Sequence, residues 1–126
     1  MRLQLGKAIN ALLSANADIT EKVGNRIYPL VSKFDCDFPF IVYQRMAVLP
    51  TYTKDALVSE EQNYSITVLS ATYAESVELA DAVRDAMELE SGTFAGQRIR
   101  MVRLTSVNES WLNDTYIQEL NFTLTL

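Results

Sequence analysis

Glu60 and Glu61 are the only adjacent carboxylates in the chain, and paired carboxylates can divide general acid and base work between them. A solvated strand entrance is the reading preferred here, because nothing nearby complements them for catalysis. Histidine is absent, which removes the commonest general base and the commonest metal ligand. Ser14, Ser91 and the other serines therefore have no imidazole to activate them. Cys36 stands alone, so no internal disulfide framework and no cysteine-based metal cluster is expected, and a reducing compartment fits. Gly6, Gly24, Gly92 and Gly96 are too dispersed for a phosphate-cradling loop, and no zinc-ligand spacing occurs. The expectation is a protein with no catalytic, cofactor-binding or metal-binding residues, and not an enzyme.

Charge points the same way. The net charge is −5, and the eleven Lys and Arg residues are scattered. Tight DNA binding needs clustered cations to neutralise phosphates. Arg98, Arg100 and Arg103 form the only dense group. Strand alternation splits them, with Arg98 and Arg100 on one face and Arg103 on the other. Their expected roles are sheet-surface charge, cross-strand pairing with an acid such as Glu119, or contacts between subunits. Glu78, Asp81, Asp85 and Glu88 form an acidic stripe with two readings. It is a solvated helix face relieved by Arg84, or a surface for a basic partner or a DNA channel. Trp111, beside an expected turn, is either a satellite-core residue or an exposed interface anchor.

These residues need elements to position them. A chain of 126 residues suits one domain, spanning 1–126. No run of apolar residues is long enough for a membrane span, and residues 1–13 read as a helix, not a signal peptide. Leu5, Ala8, Ile9, Leu12 and Leu13 mark one helix face ending near Asn16. Asp18 with Glu21 predicts a capping box for a shorter helix stopped by Gly24. Arg26-Ile27-Tyr28-Pro29 then leads into an irregular stretch up to Pro39.

Residues 40–48 predict a central strand and residues 63–70 another. The intervening residues 49–62 are too many for a tight turn and are expected to be a long loop, read either as a segment that orders on assembly, the reading preferred here, or as a mobile loop. That loop holds Tyr52, Lys54, Asp55, Leu57, Val58, Glu60 and Glu61. Thr72 with Glu75 predicts the cap of a helix over 73–89, its inner face Tyr73, Val77, Ala80, Val83 and Met87. A strand over 97–105 has imperfect alternation, suggesting a bulge. Residues 112–115 supply a turn. In the last strand Tyr116, Gln118, Leu120, Phe122, Leu124 and Leu126 share a face, and Gln118 is the polar exception. The predicted fold is α+β: a four-stranded antiparallel sheet with helices packed on one face, in the order α-(α)-β-β-α-β-β.

Several short motifs, in order, carry a family resemblance. They are Ala11-Leu12-Leu13, Asp18, Val23-Gly24-Asn25-Arg26-Ile27-Tyr28-Pro29 and Phe38-Pro39-Phe40-Ile41-Val42-Tyr43-Gln44-Arg45, then Ala71-Thr72-Tyr73-Ala74-Glu75, and Leu79-Ala80 followed by Val83-Arg84. The chain resembles, over nearly its whole length, the tail completion proteins of tailed phages and prophages, also called tail terminators or head–tail joining proteins. It departs from the family pattern at Leu69-Ser70, where members often carry a tryptophan. The resemblance implies a structural protein whose subunits close into a ring, expected as a hexamer, with a monomer allowed in isolation. The ring stops tail-tube polymerisation and presents a surface to the head connector. The implied partners are further copies, tail-tube protein and head connector protein. The implied locations are the virion tail and, during assembly, the host cytoplasm. No cofactor and no membrane partner follow from it.

Candidate interface residues are Tyr52, Lys54, Asp55, Glu60, Glu61, Glu78, Asp81, Asp85 and Trp111. Two alternatives stand beside this one. A head-completion or connector protein would differ only in its partner. A small ligand-binding regulatory domain would show an apolar pocket with convergent polar groups.

Overall fold

The computed structural model describes residues 2–30 and 37–126; Cys36 and most of the irregular stretch before Pro39 lie outside the described residues. Helix α1 (Gly6–Ser14) buries Ala8, Ile9, Leu12 and Leu13, the face its spacing predicts. Helix α2 (Ala17–Val23) is capped by Asn16, whose side chain accepts from the Ile19 amide at 3.1 Å. The cap is thus Asn16 and not Asp18. Asp18 sits inside the first turn, where its charge faces the positive end of the helix. Gly24 ends α2 at φ 61, a positive φ that glycine enters without steric cost. Arg26 then ties this end to the sheet. It donates to the Lys22 carbonyl at 3.1 Å and the Pro39 carbonyl at 3.0 Å.

The main sheet has five strands and is mixed, where four antiparallel strands were expected. The extra strand β1 (Ile27–Pro29) runs parallel to β2 (Phe40–Tyr52). β2 pairs antiparallel with β3 (Leu57–Ser70), β3 with β7 (Thr115–Thr125), and β7 with β6 (Met101–Leu112). The order across the sheet is β1-β2-β3-β7-β6. Asn113 and Asp114, at φ 52 and 59, make the two-residue turn between β6 and β7 that right-handed strand twist favours. Before β6, the expected strand over 97–105 breaks at Arg100. Its first part is β5 (Gln97–Ile99), which pairs with β4 (Gly92–Phe94) in a separate small hairpin. A bulge does occur, between Leu104 and Ser106.

Helix α3 (Tyr73–Met87) ends two residues before the expected Leu89. It buries Ser76, Leu79, Ala80, Ala82, Val83, Ala86 and Met87. Tyr73, expected inside, is 51% exposed: the buried stripe is rotated toward Leu79. Its cap is relayed rather than reciprocal. Thr72 Oγ1 accepts from the Glu75 amide at 3.3 Å, but the Glu75 carboxylate accepts from Ser70 Oγ at 2.8 Å, and Ser70 Oγ accepts from the Thr72 amide at 3.3 Å. Thr72→Ala is expected to cost about 1 kcal/mol, read as a lower urea midpoint at unchanged slope. An unmoved midpoint would remove the cap from the account.

One core cluster joins α1, α2 and α3 to one face of the sheet, through Ile41, Tyr43, Tyr64, Ile66, Val68, Leu120, Phe122 and Leu124. Gln118, the polar exception on that face, is buried and donates to Glu109 at 3.2 Å and to Ser76 Oγ at 3.4 Å. The opposite face is polar and cross-linked by side chains. Thr123 donates to Asn63 at 2.8 Å, and Asn121 to Ser106 Oγ at 3.0 Å.

Candidate functional site

The expected long loop over residues 49–62 is instead the outer half of a β-hairpin. β2 and β3 stay in register from Val48↔Gln62 to Tyr52↔Leu57, leaving only residues 53–56 as the tip. β7 reaches no further along β3 than Glu61↔Thr125. Beyond that level the hairpin stands as a two-stranded arm. Residues 49–58 are all exposed, and Leu49, Leu57 and Val58 are large apolar side chains among them, with Tyr52 at 68%. An isolated two-stranded ribbon is marginal in water, so this arm spends apolar surface on solvent with no core to repay it.

Lys54 and Asp55 sit at the tip, where the Thr53 amide and hydroxyl both donate to the Ala56 carbonyl at 2.8 and 3.2 Å. Glu60 is not an exposed contact and not a solvated entrance. It is 7% exposed, its carboxylate accepts from Gln62 Nε2 at 2.9 Å, and its carbonyl accepts from the Leu126 amide at 2.9 Å. It braces the base of the arm from inside. Glu61 lies on the polar face and pairs with Arg103 at 2.7 Å. It is an acid across β7 from Arg103, the expected kind of pairing, for which Glu119 was one such acid. Arg98 and Arg100 are exposed beside Leu5, Val58 and Leu126 and carry no ion pair among the described residues.

The acidic stripe gathers more carboxylates than the α3 sequence alone offers. Asp18 and Glu21 of α2 join Glu78, Asp81 and Asp85 around a groove of about 390 Å³. Lys22 relieves it through a 3.2 Å pair with Glu78. Glu88 accepts from Arg84, and that hydrogen bond holds the Glu88 carboxyl below its usual range. No group of three or more Asp, Glu, His or Cys among the described residues is arranged to hold a metal. No helix among them is long and apolar enough to cross a membrane.

Trp111 is 58% exposed, which resolves its two readings against a satellite core. It lies on β6 opposite Tyr116, whose ring meets Tyr73 edge-on at 5.9 Å. The candidate residues therefore fall in three places and not one: the arm, the α2–α3 groove, and the β6 edge. Alternation could not find the arm, because neither of its faces is buried. The grouping of Trp111, Tyr116 and Tyr73 depends on tertiary packing that no local pattern records.

Comparison with known proteins adds a family. The sequence matches the family described as Tail completion protein gp17 over residues 7–122. No curated protein matches. Among solved structures, a chain from "Virion of native gene transfer agent (GTA) particle" superposes with a TM-score of 0.81 at 19% identity, covering 94% of this chain and 90% of that one. A second solved chain superposes with a TM-score of 0.56 at 8% identity, covering 86% of this chain and 90% of its own. At such identities the likeness is one of fold.

Proposed function

We propose, from the premise that this chain belongs to the Tail completion protein gp17 family, that it is a structural virion subunit whose copies close into a ring, a hexamer, at the head-proximal end of a tail. The ring caps the tail tube and presents its other side to the head connector. The chain works through surfaces and makes or breaks no covalent bond.

The observation that carries this reading is the arm. A two-stranded ribbon with exposed Leu49, Tyr52, Leu57 and Val58 is a costly object for a lone subunit and a useful one for a subunit that is always built into something. Its apolar side chains gain burial only against a partner. A negative net charge fits a ring through which DNA passes without being held. The family match, together with a fold shared with a chain of a gene transfer agent virion particle, supports the same class of role.

Particles assembled without this chain are expected to yield tails that outgrow the normal length and free heads that join none of them, by electron microscopy. Adding the purified chain is expected to restore joined particles. Tails of normal length joined to heads in its absence would sink the proposal.

A further inference from the structure

The two flanks of the sheet carry features of complementary charge. On the β1–β2 flank, Leu3, Pro29, Leu30 and Tyr43 line a groove of about 360 Å³, together with Lys7 and Arg45 and, among the described residues, with no carboxylate. Lys7 donates to Gln4 Oε1 at 3.0 Å and Arg45 to the Leu3 carbonyl at 3.0 Å. Neither pairs with a carboxylate among the described residues. Leu30 is 64% exposed and sits at φ 66, a region leucine enters only with strain. A turn alone would be better served there by Gly or Asn.

On the β6 flank Met101, Val107, Trp111 and Leu112 are exposed, and Trp111 is the largest of them. Glu109 lies two residues before it on the same face of the strand, and Asp114 lies in the adjoining turn. Glu109 accepts from the Tyr73 hydroxyl at 3.0 Å and from Gln118 Nε2 at 3.2 Å. Both donors are neutral, so the carboxylate is held in place with its charge uncancelled. One flank thus offers an apolar groove with two cations that meet no carboxylate among the described residues. The other offers an indole flanked by two carboxylates.

We propose that the occupant of the groove is a second copy of this chain, whose Trp111 seats against Leu3 and Leu30 while Glu109 and Asp114 meet Lys7 and Arg45. The cations also face the indole, which attracts them by its π-electron density, and the opposed charges fix the register of approach. β1 and β6 are the two edges of the sheet, so each copy gives from one edge and receives at the other. Such a head-to-tail contact closes into a ring by rotation. The inference rests on the ring reading above and names its subunit contact.

The test uses two full-length variants, Trp111→Ala and Leu30→Asp. Both sites are exposed, and Asp tolerates a left-handed backbone better than leucine does, so each variant should match the wild-type urea midpoint. Lys7→Glu serves as a second groove variant. Solution mass is measured across concentration, with and without purified tail tubes. Each variant alone is expected to lose self-association by more than about thirtyfold. Mixed in equal amounts, Trp111→Ala and Leu30→Asp retain one intact contact between them and should give a dimer and no ring. Wild-type rings matched by undiminished rings from Trp111→Ala, Leu30→Asp and Lys7→Glu would overturn this contact and leave the ring standing. A wild-type chain that forms no ring in either condition would overturn both.

Discussion

Replacing residues 52–58 with Asn-Gly is expected to leave the subunit folded and to reduce its assembly onto tail tubes by more than about thirtyfold. The two halves of that expectation come from different facts. Thr51 and Ser59 are already opposed in register, and Asn-Gly is the favoured two-residue link for such a pair. Every residue removed is exposed, so no core contact goes with them. Stability should stay within about 0.5 kcal/mol of wild type, as for surface changes elsewhere. Pro50, Glu60 and Glu61 remain, keeping the Glu60–Gln62 hydrogen bond and the Glu61–Arg103 pair. What disappears is Tyr52, Leu57 and Val58, the apolar end of the arm. Thermal unfolding and sedimentation with tail tubes read the two halves separately. A folded variant that still sediments with tubes at wild-type affinity would take the arm out of the interface.

The arm is also where the sequence was least informative. Alternation reports a strand only when one face is dry. β7 satisfies that condition: Leu120, Phe122 and Leu124 are buried, and its face was legible residue by residue. Residues 49–58, at the outer end of β2 and β3, have water on both faces. Pro50 is tolerated because proline can occupy an edge strand. β1 escaped notice for another reason. Three residues ending in proline make no local pattern, and their parallel partner Ile41–Tyr43 comes after an intervening segment. Arg103 finds Glu61 and not Glu119 because the match depends on register across β7. The helices were better served. α3 carries its start signal in Thr72 and Glu75, although the buried stripe turned toward Leu79, with Ala82 and Ala86 small enough to let the helix approach its neighbours. Of the candidate contacts, Tyr52 and Trp111 are exposed and Glu60 is buried. Neither Leu30 nor Lys7 stood out, since a groove is made by elements meeting and not by a spacing.

Phe122→Ala is expected to cost about 3–5 kcal/mol, a large share of the roughly 5–15 kcal/mol that holds a typical domain together. Phe122 is 1% exposed and sits mid-strand in β7, opposite Tyr64 on one side and Leu104 on the other. Strand ladders on both flanks fix the backbone around it. The site can therefore collapse little when the ring is removed, and poor collapse puts the cost toward the upper end of the range. Urea unfolding should show a lower midpoint with the same slope. Asn108→Ala, exposed on the edge strand β6, should stay within about 0.5 kcal/mol. A cost below about 1 kcal/mol for Phe122→Ala would mean the core is not packed as described. The same variant separates folding from assembly. Partners that bind only the folded subunit stabilise it by mass action, so excess tail tubes should recover Phe122→Ala in part. The variant that lacks its arm, already about as stable as wild type, should gain less stability from the same tubes because it binds them more weakly.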